Sequence, residues 1–177
     1  MKNLIQKFKE NAESTTATVQ IVANNLNDIS NAIEEQIKSQ KNILVSLKNE
    51  PLLNSLPQTI NFIEKPNNVE MKKTQVCLTD SVLGISETGS IVIDNDEGFL
   101  PYITMLTAKH IVILDSKKIF DKPRDIFNGE ESLLKSKSSF SIITGPSATA
   151  DMGSLVRGVH GPEHLHIILI VENEKQN

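Results

Sequence analysis

His110-Ile111-Val112-Ile113-Leu114 and Leu165-His166-Ile167-Ile168-Leu169-Ile170-Val171 are the stretches on which the fold turns. Runs of consecutive branched aliphatic residues make strands with no polar face, and such strands need cover on both sides. A parallel sheet with helices on both faces supplies that cover. A hairpin sheet with one wet face would instead alternate apolar and polar residues. Working outward, Ala17-Thr18-Val19-Gln20-Ile21-Val22, Ile43-Leu44-Val45-Ser46-Leu47, Gln75-Val76-Cys77-Leu78, Ser90-Ile91-Val92-Ile93 and Ser141-Ile142-Ile143 carry further strand signals. Ile29, Ile33 and Ile37 recur every fourth residue beside Leu26 and Ala32, which predicts a helix with Asn27 or Asp28 as its cap. Leu4, Ile5 and Phe8 predict a short amino-terminal helix, and further helices are expected over 99–108, 118–127 and 129–137, with Pro123 interrupting the second. Glu50-Pro51 should end the second strand, since proline and the residue before it resist helix and ladder alike. The stretch 52–73 reads as a connector carrying one short strand at 59–63. The expected class is α/β, an open, largely parallel sheet flanked by helices, in one domain over 1–177.

Composition narrows the function. At 177 residues the chain can bury a proper core, and with Cys77 alone it forms no internal disulfide and ligates no iron–sulfur cluster or cysteine-rich zinc. A net charge of −4, from 18 basic and 22 acidic residues, leaves no broad basic footprint for nucleic acid. The longest apolar run, Ile167 to Val171, is far below the ~20 residues of a membrane-spanning helix. Met1-Lys2-Asn3-Leu4-Ile5-Gln6-Lys7 lacks the apolar region of a secretory signal, so a cytoplasmic setting is expected. Cys77, inside an apolar strand, reads as an inert small hydrophobe.

Three motifs depart from ordinary α/β filler. Gly84-Ile85-Ser86-Glu87-Thr88-Gly89-Ser90 sets a carboxylate and hydroxyls among glycines just before a strand. Thr144-Gly145-Pro146-Ser147-Ala148-Thr149-Ala150-Asp151 follows a strand and is expected to open a short helix, with Ser147 or Thr149 as its cap. Free backbone N–H groups and hydroxyls there would suit a phosphate or carboxylate, and the loop is expected at the carboxyl ends of the strands, where open α/β sheets place ligands. Gly158-Val159-His160-Gly161-Pro162 holds an imidazole on a rigid turn beside Arg157, one of two arginines in the chain. His164 and His166 share one strand face with His160 nearby, yet no carboxylate or cysteine stands at ligand spacing, so no metal site is expected.

The run from Ile143 to Asp151, then Leu155-Val156-Arg157-Gly158-Val159-His160-Gly161-Pro162 and Leu165-His166-Ile167-Ile168-Leu169, resembles the carboxy-terminal signature of the LUD-domain family, lactate utilization protein C type. Gly84-Ile85-Ser86-Glu87-Thr88-Gly89-Ser90 resembles a second family motif, and a proline with a His-Ile-Val stretch follows as Pro101 and His110-Ile111-Val112. The resemblance covers roughly 75–171, whereas 1–73 matches only in element order. It implies the open α/β fold shared with ribose-phosphate isomerases, glucosamine-phosphate deaminases and CoA transferases. It also implies a part in oxidising L-lactate to pyruvate with two iron–sulfur partner proteins, the A- and B-type lactate utilization components. This chain would then carry no cofactor and serve as a non-redox subunit, the clusters residing in the partners. The alternative is a self-sufficient binder or enzyme for an anionic organic acid, CoA ester or sugar phosphate. The candidate catalytic groups are Glu87, by likeness to the CoA transferase nucleophile, and His160. The candidate ligand contacts are Thr88, Gly89, Gly145, Pro146, Ser147, Thr149, Asp151, Arg157 and Gly161.

Overall fold

The computed structural model describes residues 2–96, 99–127, 139–151 and 154–172. The chain opens with α1 (Lys2–Ser14), whose Leu4, Ile5, Phe8 and Ala12 lie at helical spacing and pack into one core. There follow β1 (Thr18–Ala23), α2 (Leu26–Ile37), β2 (Asn42–Ser46), α3 (Glu50–Ser55), β3 (Asn61–Ile63), α4 (Asn68–Lys73) and β4 (Val76–Asp80). Next come β5 (Leu83–Ile85), β6 (Ser90–Asp94), α5 (Leu100–Leu106), β7 (Lys109–Asp115) and β8 (Ile119–Phe120). The last elements are β9 (Phe140–Ile143), β10 (Ala148–Asp151), β11 (Ser154–Arg157) and β12 (His164–Val171).

Six strands form a parallel sheet in the order β1-β12-β7-β4-β2-β3. The two doubly apolar runs are its neighbouring inner strands β7 and β12, and Ile111, Val112, Leu114, Ile167, Ile168 and Leu169 are fully buried. α2 and α3 cover one face through Ile29, Ile33, Ile37, Leu52 and Leu56. The other face is covered by α1, by α5 and by a smaller, mixed sheet in the order β8-β5-β6-β9, with Phe8, Ile91, Ile93, Leu100 and Ile103 in the shared core. The mostly parallel α/β architecture is as the sequence predicts.

Several local expectations change. The cap of α2 is Asn25, whose Oδ1 accepts from the Asp28 amide at 2.9 Å, while its Nδ2 donates to the Asp28 carboxylate at 2.8 Å. Asn25→Ala should therefore cost about 1 kcal/mol in urea unfolding, and an unchanged midpoint would argue against this cap. Pro51 does not block a helix but helps start α3, because a first-turn residue needs no amide hydrogen, and Asn49 caps that turn through the Leu52 amide. In the expected connector, α4 forms behind a capping box: Asn67 accepts from the Glu70 amide at 3.0 Å, and Glu70 accepts from the Asn67 amide at 2.8 Å. The helix expected over 118–127 is instead a short strand between two single 3₁₀ turns, Ser116–Lys118 and Pro123–Ile126. The helix expected over 129–137 lies outside the described residues.

Candidate functional site

The glycine motifs meet around the amino-terminal helix. Gly89 has φ +64, and a Cβ there would fall on the backbone nitrogen of Ala12 in α1. A Cβ at Gly84 would lie 3.0 Å from the Phe8 ring, and one at Gly145, φ +71, would lie 2.7 Å from the Thr15 carbonyl oxygen. Three glycines from two motifs thus leave room for one helix and its exit. Asn11 of α1 donates to the carbonyls of Ser86 and Glu87, at 2.8 and 3.2 Å, and Lys7 pairs with Asp121 at 2.8 Å. Hydroxyls join the motifs directly, Thr88 to Ser90 at 2.6 Å and Ser90 to Thr144 at 2.7 Å.

The stretch after Gly145-Pro146 is not a helix. Ala148 to Asp151 forms β10, which pairs antiparallel with β11, so Thr149 faces Val156 and Arg157 faces Ala148. Thr149 and Val156 are β-branched and stand opposite each other, a pairing that favours strands over a first helical turn. Neither Ser147 nor Thr149 caps a helix. Instead the Ser147 amide donates to the Pro162 carbonyl at 2.8 Å, its carbonyl accepts from the Gly158 amide at 3.0 Å, and its hydroxyl accepts from the His160 amide at 3.3 Å. Gly161 lies against Ser147, where a Cβ would stand 3.2 Å from the serine Cβ. The cluster also sits at the opposite end from the one expected. Thr15 precedes β1 and Pro162 precedes β12, so the motifs lie by the amino ends of the parallel strands. Glu87, His160 and Arg157 are exposed, and among the described residues no hydrogen bond or ion pair joins Glu87 to His160.

The carboxyl ends of the strands hold a different set. A cleft of about 680 Å³ opens there, lined by Asn24 after β1, Ser46 at the end of β2 and Lys48 just beyond it, Asp80 of β4, Asp94 of β6, Asp115 at the end of β7 and Lys118 beyond it. Its size is within the usual range for a small-molecule site. Asp94 is 2% exposed, accepts from the Asp96 amide at 3.0 Å and meets the Lys48 ammonium at 3.4 Å. Asp80 accepts from the Lys48 amide at 2.6 Å, and Asp115 from the Lys117 amide at 2.9 Å. Carboxylates are acceptors for hydroxyl or amine donors, and Lys118 places an ammonium in the same cleft. Sequence reading passed over this set, although its signal is visible: three apolar runs, ending Leu78-Thr79-Asp80, Ile93-Asp94 and Leu114-Asp115, each stop at an aspartate.

Curated proteins resemble the chain over part of their length. It is 26% identical over 113 residues to "Lactate utilization protein C" of Oceanobacillus iheyensis, a stretch that is 61% of this chain and 48% of that protein. To the protein of the same name from Deinococcus radiodurans it is 27% identical over 107 residues, 59% of this chain and 50% of that one. The Macrococcus caseolyticus protein of that name gives 29% over 96 residues, 51% of this chain and 42% of that one. The matched stretch thus spans about half the length of these relatives. In fold, the chain superposes with a TM-score of 0.75 on a crystal structure of a duf162 family protein from Deinococcus radiodurans, at 17% identity, covering 96% of this chain and 98% of that one. The family model for the LUD domain matches residues 5–170, reaching from α1 through β12 and so taking in the amino-terminal part as well, and the chain belongs to the LUD domain family.

Proposed function

We propose that this LUD domain takes part in lactate utilization as a component without a redox centre of its own, working beside two iron–sulfur partner proteins. The observation that carries the reading is the name shared by three curated relatives, lactate utilization protein C. Oxidising a 2-hydroxy acid to a 2-oxo acid releases an electron pair that needs an acceptor. The only thiol in the sequence, Cys77, is buried, and burial pushes it up to about 12, so it offers no thiolate to a cluster. On this reading the electron pair passes to the partners. The carboxyl-edge cleft supplies what a hydroxy acid asks for, aspartates to accept from its hydroxyl and lysines to meet its carboxylate.

Deletion of the gene should abolish or slow growth on L-lactate while growth on a sugar is unchanged, and normal growth on lactate would remove the pathway assignment. Tagged protein recovered from lactate-grown cells should bring down iron–sulfur proteins, measured as iron and acid-labile sulfide. The cleft also supports a second reading, a binder that acts alone. Purified protein then decides, because a ligand that binds the native state raises its melting temperature. A shift with lactate that is lost in Lys118→Ala assigns the cleft, and a shift unaffected by that change places the ligand elsewhere.

A further inference from the structure

At the other end of the sheet, on the α2 side, lies a second pocket of about 480 Å³ whose charged lining is basic. Lys109 enters from the start of β7, Lys38 from the end of α2, and His164 and His166 from the start of β12, with Thr18, Gln36 and Gln75 between them. Among the described residues no aspartate or glutamate lines it. Two glutamates outside this lining act on its histidines: Glu163 is 3.9 Å from the exposed His164 ring, and Glu35 acts on His166.

Among the described residues neither Lys38 nor Lys109 has an ion-pair partner, and the two share one pocket. Lys109 is held in place all the same: its ammonium donates to the Gln36 carbonyl and to Gln36 Oε1, both at 2.8 Å. These bonds occupy the carbonyl end of α2, which would otherwise repel an anion, and leave a third N–H. Burial lowers the Lys109 pKa, and the neighbouring Lys38 lowers it further. His166 is 6% exposed, with Nδ1 2.7 Å from the Thr18 hydroxyl and Nε2 3.3 Å from Gln20 Oε1. A partly buried ammonium beside a second cation, with no counter-charge, is relieved by a bound anion.

We infer that this amino-edge pocket binds a polyvalent oxyanion, of the phosphate or polycarboxylate class, between Lys109 and Lys38. The pocket has room for more than a single phosphate group. This site is separate from the cleft proposed for the hydroxy acid and stands whether or not that reading holds.

The test is an NMR titration of the His164 and His166 imidazole signals with pyrophosphate, with citrate, and with acetate as a monovalent control. Saturable shifts are expected with pyrophosphate, with citrate or with both at millimolar concentration, and none with acetate; which of the two binds more tightly assigns the class. The measured pKa of His166 should rise when the anion is bound, since a negative charge favours the imidazolium. Lys109→Gln and Lys38→Gln should each weaken binding about tenfold. Among the described residues the Lys38 side chain makes no hydrogen bond or ion pair, so the Lys38→Gln variant carries the test even if Lys109→Gln fails to fold. Absence of a saturable shift with both polyvalent anions overturns the inference, and so does undiminished binding by Lys38→Gln.

Discussion

Gly89→Ala should destabilise the protein by about 2–5 kcal/mol and loosen α1 from the body. The residue has φ +64, and its missing Cβ leaves the space taken by the α1 backbone at Ala12. Backbone cannot swing aside as the end of a long side chain can, so the whole helix must retreat. Retreat would disturb Phe8, which is fully buried, and the Asn11 bonds to the Ser86 and Glu87 carbonyls. Gly158→Ala is the matched control: φ is +77 there, but the closest atom to the added Cβ would be the Glu163 Cβ at 3.3 Å, a contact relieved by a shift of a few tenths of an ångström and not by the retreat of a helix. That change should cost chiefly the left-handed backbone term, about 1–2 kcal/mol. Urea unfolding ranks the two variants, and hydrogen exchange along α1 reports its release. Equal losses in both, with α1 still protected in Gly89→Ala, would mean that the motif does not seat the helix.

A second large effect is expected on acidification. His110 is fully buried, its Nε2 lies 2.7 Å from the Thr79 hydroxyl, and among the described residues its Nδ1 has no hydrogen-bond partner. Burial alone lowers its pKa to about 4 from the ordinary 6.5. The folded state therefore holds His110 neutral, while the unfolded chain takes up a proton near pH 6.5. Stability is fully present above that value and falls as the pH drops towards 4, by an amount on the order of 3 kcal/mol. His166, also lowered to about 4 by burial and then by Lys109, acts in the same direction. It is less deeply buried, so its share is smaller. Urea midpoints at pH 7 and pH 4.5 should thus separate widely in the wild type. His110→Gln, whose amide nitrogen still reaches Thr79, should flatten that dependence; an identical slope in the variant would exclude His110 as its source.

Local sequence was a good guide where neighbours along the chain decide the outcome. The stripe Ile29, Ile33 and Ile37 predicts α2 and its buried face, and these residues are 3%, 0% and 1% exposed. It was a poor guide where elements are too short to show a period. α4 has six residues, and its one local sign is the pairing of Asn67 with Glu70. The stretch 118–127 holds apolar residues that suit a helix on paper, but Ile119 and Phe120 are drawn into pairing with β5. A strand across the sheet outweighs a modest helical preference.

The candidate site shows the same division. Gly84, Gly89, Gly145 and Ser147 stand out in the sequence because glycine and turn residues are unusual beside strands, and the structure does gather them. What they do depends on α1, more than 70 residues away from the first motif along the chain. Clearance for a helix backbone is a property of two surfaces in contact, and no spacing within one motif reveals it. The cleft aspartates Asp80, Asp94 and Asp115 come from β4, β6 and β7, and Lys38, Lys109 and His166 of the basic pocket come from the end of α2, the start of β7 and β12. Sequence by itself determined the class of fold, because two strands apolar on both faces admit few arrangements. Tertiary structure alone decided which strand ends share a cleft and which cations are left facing each other, because strand order brings together residues that the chain keeps far apart.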